Sequence, residues 1–157
     1  MELKDEIIQK AEETWACAQE LWPKLGPIPK IGFKEMGLKA GVAWYDKRLV
    51  EYNLSMAYHN QTDFLKRTVA HELAHLIAWE IYNATGHKGP WRYIMENMGL
   101  TATTYHAYDT THVPTKTKRI KYVCSCSVHM ITMVKHNRIK RGTSYSCSSC
   151  GEIIREG

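Results

Sequence analysis

No stretch of this sequence approaches the ~20 consecutive apolar residues that a membrane-spanning helix requires. A helical membrane protein is therefore not expected. The first residues, MELKDEIIQKAEETW, are charged and amphipathic, without the basic start and apolar middle of a secretory signal. That favours a cytoplasmic location and no membrane partner. Low-complexity tracts and internal repeats are absent too, which argues against a disordered or solenoid chain. Cysteine is sparse: of five, Cys17 stands alone, and four gather late as Cys124-Ser-Cys126 and Cys147-Ser-Ser-Cys150. In a reducing compartment such close pairs bind metal more often than they form disulfides. Acidic residues are scarce in the tail. Residues 113–157 hold 2 Asp/Glu against 9 Lys/Arg, a net +7, whereas residues 1–112 hold 14 against 12, a net −2. A basic tail of that kind is either an electrostatic footprint for nucleic acid or a solvated face around a metal site.

What is present reads as an α+β chain of ordinary domain size, 157 residues, with a small appendage. Leu3, Ile7, Ala11, Trp15, Ala18 and Trp22 recur at steps of three and four, predicting a helix from about Leu3 to Trp22 that Pro23 stops. Three short strand-like pieces follow, around Ile31–Phe33, Gly41–Tyr45 and Leu49–Tyr52, predicting a small antiparallel sheet. A second helix should begin near Thr62 or Asp63, either of which can cap it, and run to about Tyr82. Its apolar face is Phe64, Val69, Leu73, Leu76, Ile77 and Ile81. A shorter helix is expected after Pro90, with Gly99 as its stop. Residues 111–119 read as a polar linker. Strands are then expected over Tyr122–Cys126, Met130–Val134 and Tyr145–Cys147. The expected organisation is a main domain over 1–112 and a basic module over 113–157.

The chemistry lies in His71-Glu72-Leu73-Ala74-His75, an H-E-x-x-H motif within the second predicted helix. Four residues of helix put both imidazoles on one face about a turn apart, so they can share one metal ion. Glu72 lies beside them, placed to take a proton from a water that the metal activates and to return it to a leaving amine. Catalytic zinc takes three protein ligands and keeps an open position. His87 is a candidate third ligand, because it follows Gly86 in a turn just past the helix. Glu96 is a rival, 21 residues after His75, where thermolysin-like enzymes supply a carboxylate. His106 is a further candidate. The metzincin pattern is absent, since Ala78 and Ile81 occupy its Gly and third-His positions.

Along nearly its whole length the chain resembles the SprT family. The likeness is carried by G-V-A-W (41–44), H-E-L-A-H-L-I-A-W (71–79), G-H-K-G-P-W (86–91), M-E-N-M-G-L (95–100) and the His106 region. It continues in Y-V-C-S-C-S-V-H-M (122–130), K-H-N-R-I-K-R-G (135–142) and Y-S-C-S-S-C-G-E (145–152). The resemblance implies a minimal zincin-like domain: a metal helix beside a small sheet whose edge strand accepts a substrate peptide. It favours His87 over Glu96, because the family's third ligand lies in a Gly-His segment followed by an aromatic-bearing helix. It implies a zinc metalloendopeptidase acting on proteins. In eukaryotic relatives such as Spartan the substrates are proteins crosslinked to DNA.

For the tail the expectation is a zinc-ribbon-like module with a structural Zn²⁺ on Cys124, Cys126, Cys147 and Cys150, and His129 as a substitute ligand. Residues two apart on a regular strand point to opposite faces, so a turn must intervene between Cys124 and Cys126. Arg138, Lys140 and Arg141 are candidate contacts to single-stranded or damaged DNA, with His136 and Tyr145 nearby. Trp44, Trp79 and Trp91 are expected mainly in the core. Two Zn²⁺ ions, one catalytic and one structural, are expected, with no small-molecule cofactor. The competing readings are a nucleic-acid-binding zinc protein on a zincin scaffold with little proteolysis, and a zinc-stabilised adaptor.

Overall fold

A computed structural model of the chain describes residues 1–112 and 118–157. The linker expected over 111–119 runs through 113–117 and so lies largely outside the described residues. The chain divides into two compact units, Met1–Pro114 and Thr115–Gly157, of mixed α and β structure. None of its helices is long and apolar enough to cross a membrane, among the described residues.

In the first unit, α1 (Leu3–Leu21) buries Ile7, Ala11, Trp15 and Ala18, the stripe that its three- and four-residue spacing dictates. Trp15 also donates its indole N–H to the Gly26 carbonyl (2.9 Å), which ties the following Pro/Gly segment to the helix. Next come β1 (Lys30–Phe33), β2 (Gly41–Trp44) and β3 (Leu49–Tyr52). Their order is β1-β3-β2, with β2 antiparallel and β1 parallel to β3. The sheet is thus mixed, not antiparallel as its short strands suggested. The reason lies in residues 34–40. Phe33 and Gly41 both stand opposite Tyr52, so this segment crosses the end of β3 and returns on its far side. That gap is about 9–10 Å, two strand spacings, and seven residues can span more than twice that.

Buried Asn53 fixes where β2 begins. Its amide donates to the carbonyls of Gly37 and Lys39 (2.9 Å each), and its oxygen accepts the Met56 N–H as the cap of α2 (Leu54–His59). Helix α2 was not legible as apolar periodicity. A helical run then begins at Gln61 rather than under a Thr62 or Asp63 cap. It comprises α3 (Gln61–Asp63), a π-helical turn (Phe64–Thr68) and α4 (Val69–Tyr82). Asn83, at φ 51°, ends α4 in a left-handed cap. Pro90 lies in the first turn of α5 (Gly89–Asn97), and Gly99 (φ 76°) follows its end. Helix α4 is the hub, packed against α1, α5, β2 and β3. Its Leu73, Leu76 and Ile77 are fully buried, each stabilising the fold by about 1.5–3 kcal/mol.

The second unit is a three-stranded sheet, β5-β4-β6, of β4 (Arg119–Val123), β5 (Val128–Thr132) and β6 (Arg155–Glu156). The strand expected over Met130–Val134 ends at Thr132, and Met133–Lys140 is helix α6. The Thr132 side chain accepts the Lys135 N–H as its cap, and such a cap can start a helix that has little apolar periodicity. Around Cys147 only a single bridge, Ser146 to Ile153, stands in place of the expected strand. The core here is small: Tyr122, Ile131, Cys147 and Ile154.

Candidate metal centres and active-site cleft

His71 and His75 project from one face of α4, and the turn after α4 brings His87 to them. One ligand nitrogen from each lies within 4.8 Å of the others, and the Nε2 atoms of His71 and His87 are 2.9 Å apart. Nitrogens bound to tetrahedral zinc at about 2.0–2.1 Å lie about 3.3 Å from one another, so the trio fits one such ion. Glu96, exposed on α5, and His106, on the cleft wall, are not in this group. Trp91 is the floor of the trio. Its ring centroid is 4.8 Å from that of His71 and 4.7 Å from that of His87, and it stacks on His75 at 5.7 Å. Its indole N–H donates to the His71 carbonyl (3.2 Å). Trp91 is therefore core, as expected, and also part of the site. Trp44 and Trp79 depart from the expectation, being 38% and 37% exposed.

Glu72 is buried at 7% exposure and has no ion-pair partner among the described residues. Desolvation pushes its carboxyl up to about 8. Desolvation also pushes His75 down to about 3, with the neighbouring His71 and His87 adding to it. His71 falls to about 4, mainly by burial and then by His87. Neutral imidazoles are the form that ligates metal, and a carboxyl without a cationic partner suits a dication nearby. The donor set therefore fits zinc. Gly41 on β2 packs directly on Glu72: a Cβ there would lie 2.7 Å from Glu72 Cγ and 3.1 Å from Cδ. A glycine inside a strand pattern often marks such close approach, and that was the one sequence signal for this contact.

The trio and Glu72 open into a cleft of about 670 Å³ between β2, the π-helical turn with the start of α4, and residues 101–108. That last wall is anchored at its base. Tyr108 shares a hydrogen bond with Thr68 (2.8 Å) and stacks on Phe64, and Asn60 bonds the backbone of Asp109 in both directions. Tyr45, just after β2 and the G-V-A-W segment, also lines the cleft, although it was not among the candidate site residues.

In the second unit the four late cysteines converge, their sulfurs within 4.8 Å of one another. Strand β4 stops at Val123, and the Cys124 N–H donates to the Ser127 carbonyl (3.1 Å), so a turn separates Cys124 from Cys126. Cys126 Sγ lies 3.6 Å from both Cys124 and Cys147, close to the ~3.8 Å between sulfurs on zinc at about 2.3 Å. Backbone N–H groups of Cys150 and Ser149 hold the Cys147 thiol below its usual range, at about 7. His129, 3.2 Å from Cys124, holds that thiol down at about 5, while Cys126, crowded by Cys150, Cys124 and Cys147, is pushed up to about 12. His129 thus lies at the rim of the cluster. Cys17 is far off in sequence, exposed and unpaired on α1. Arg138 and Lys140 are exposed on α6, and Arg141 follows its end. Lys140 pairs with Glu156 at 2.7 Å. Tyr145 lies under the Lys135 ammonium (5.3 Å).

A sequence model of the SprT-like family matches residues 9–118. Protein SprT of Actinobacillus succinogenes is similar to this chain at 31% identity over 151 residues, 94% of this chain and 88% of that protein. Protein SprT of Klebsiella pneumoniae is 33% identical over 129 residues, 80% and 76% of the two chains. Protein SprT of Escherichia coli strain K12 is 31% identical over 155 residues, 97% and 93%. No solved structure matches the chain. A family match over most of the sequence, and relatives of like identity along nearly its full length, establish that the chain belongs to the SprT-like family.

Proposed function

We propose that this protein is a zinc-dependent endopeptidase on a zincin-like scaffold. The observation that carries the reading is one juxtaposition: three histidine nitrogens within 4.8 Å of one another, beside buried Glu72, at the bottom of an open cleft. His71, His75 and His87 would hold the ion, which when bound supplies Lewis acidity toward water and toward a peptide carbonyl. Glu72 takes the proton from the attacking water and delivers it to the departing amine. Strand β2 is an edge of its sheet, so an extended substrate can lie along it and present its scissile bond to the cleft. Cys124, Cys126, Cys147 and Cys150 hold a second, structural zinc.

The substrates are proteins, including those bound or crosslinked to DNA, in the cytoplasm. The net +7 of residues 113–157 supports the DNA association. The same charge favours a second reading, a nucleic-acid-binding zinc protein with little proteolysis. The experiment that separates them measures metal content and cleavage of casein or of the protein itself, with and without single-stranded DNA. Wild type should cleave, and Glu72→Gln should keep both metals and lose hydrolysis. A Glu72→Gln variant that cleaves as fast as wild type, or a wild type that binds DNA but never cleaves, would overturn the peptidase reading.

A further inference from the structure

Of the three proposed ligands of the histidine centre, two lie on α4 and one lies beyond its end. His87 is an exposed residue in the segment between α4 and α5. Something must hold that segment if the third ligand is to be pre-set. The contacts around Gly86, the residue before His87, identify what does. The Gly86 N–H donates to the Tyr45 hydroxyl (3.2 Å), and the same oxygen lies 3.5 Å from His75 Nδ1. Gly86 takes φ 73°, a left-handed conformation that favours glycine, although a Cβ there would meet nothing within 4 Å. Its glycine therefore serves the path of the turn and not the space around it.

Tyr45 is itself fixed. Its ring packs on Trp79 of α4 (5.4 Å) and meets His75 edge-on (6.5 Å). A phenol oxygen has two lone pairs, so it can accept from Gly86 N–H and from His75 Nδ1–H together. A proton on Nδ1 leaves Nε2 of His75 with its lone pair free for metal. We infer that Tyr45 is a positioning residue for the histidine metal centre, its hydroxyl tying the turn that carries the third ligand to the ring of the second. This inference rests on the proposed three-histidine site, and it concerns how tightly that site is built.

Removing an outer hydrogen-bond partner of a metal ligand lowers metal affinity by roughly 10–100-fold, and Tyr45→Phe removes only the hydroxyl. The test loads full-length protein with Co²⁺ and titrates it with a chelator, following the weak visible bands of the histidine site. The thiolate-to-cobalt charge-transfer band of the cysteine cluster is an internal control in the same sample. Tyr45→Phe should release the histidine-site ion at about 10–100-fold lower chelator concentration, with the cysteine band unchanged. His71→Ala should abolish the histidine-site bands, which identifies them. Gly86→Ala, which strains the same turn without touching Tyr45, should weaken the same site and no other. The inference is overturned if either Tyr45→Phe or Gly86→Ala holds the ion as tightly as wild type. A wild-type protein that takes up no histidine-site cobalt would instead overturn the site itself, and the two failures are distinct in one titration.

Discussion

Replacing Gly41 by alanine adds one methyl group at the place where the sheet touches the proposed catalytic base. Ordinary carbon–carbon contact is about 3.5–4.0 Å, and the new Cβ would lie 2.7 Å from Glu72 Cγ, 3.1 Å from its Cδ and 3.2 Å from the Glu51 carbonyl oxygen. The pair must separate by about 1 Å. The strand has little room to retreat. Gly41 is in register with Tyr52, the Asn53 N–H holds the Ala40 carbonyl (2.9 Å), and the Asn53 amide holds that of Lys39. The Glu72 side chain is the softer partner and will turn. A displacement of about 1 Å can cost about 10²-fold in rate, or about 2.7 kcal/mol of transition-state stabilisation. Overpacking of this kind costs about 1–3 kcal/mol of stability besides, so the variant should still fold.

The assay is kcat and KM on an unstructured peptide, with metal content and melting temperature measured on the same preparation. The expected result is a kcat loss near 10²-fold, with KM and zinc content close to wild type. Placed on Glu72→Gln, the same substitution should add no further loss. Gly32→Ala is the control, because a Cβ there makes only ordinary contacts at 3.5 Å and beyond. A Gly41→Ala enzyme with wild-type kcat refutes the reasoning. So does one that loses zinc and activity in parallel, since the damage would then act through the ligands.

His87→Ala should weaken the histidine-site metal by several kcal/mol, given how much binding energy such sites hold, while Glu96→Gln, exposed on α5, should leave it unchanged. The reverse ranking in a chelator competition would make this a thermolysin-like site. Chelation or Cys147→Ser should unfold residues 118–157 while the first unit stays folded, because the tail has only four buried core residues and Cys147 is one of them. Limited proteolysis checks this, and a tail that resists cleavage without metal would refute it. Neutralising Arg138, Lys140 and Arg141 together should weaken DNA binding and flatten its salt dependence, by about 0.7 in slope for each phosphate of a single strand that the protein no longer neutralises. Lys140 should contribute least, since Glu156 already pairs its ammonium at 2.7 Å. Equal effects from all three single variants would count against that ranking.

Local order was largely readable in the residues. The spacing of Ile7, Ala11, Trp15 and Ala18 fixes one face of a helix whatever packs on it, and α1 buries that face. His71 and His75 share a helical face for the same reason. The misreadings fall where local signals were weak and distant contacts decided. Helices α2 and α6 are short and set by their Asn53 and Thr132 caps, so their apolar periodicity was faint. Strand β1 runs parallel to β3 because residues 34–40 cross over a strand end, and no residue in that segment encodes the crossing.

The candidate site divides along the same line. Sequence alone determined that two imidazoles and a carboxylate share one helix, that four thiols lie in two close pairs, and that positive charge gathers in the last third. Each follows from covalent order and from the period of a helix. The family resemblance favoured His87 over Glu96, and the tertiary structure brings His87, not Glu96 or His106, within reach of His71 and His75. It alone placed Trp91 beneath that group, Gly41 against Glu72, and one phenol hydroxyl between Gly86 and His75. Those pairings reach across as many as 41 positions, and no local periodicity fixes distances across such separations. The packing of β2 and α5 against α4 sets them.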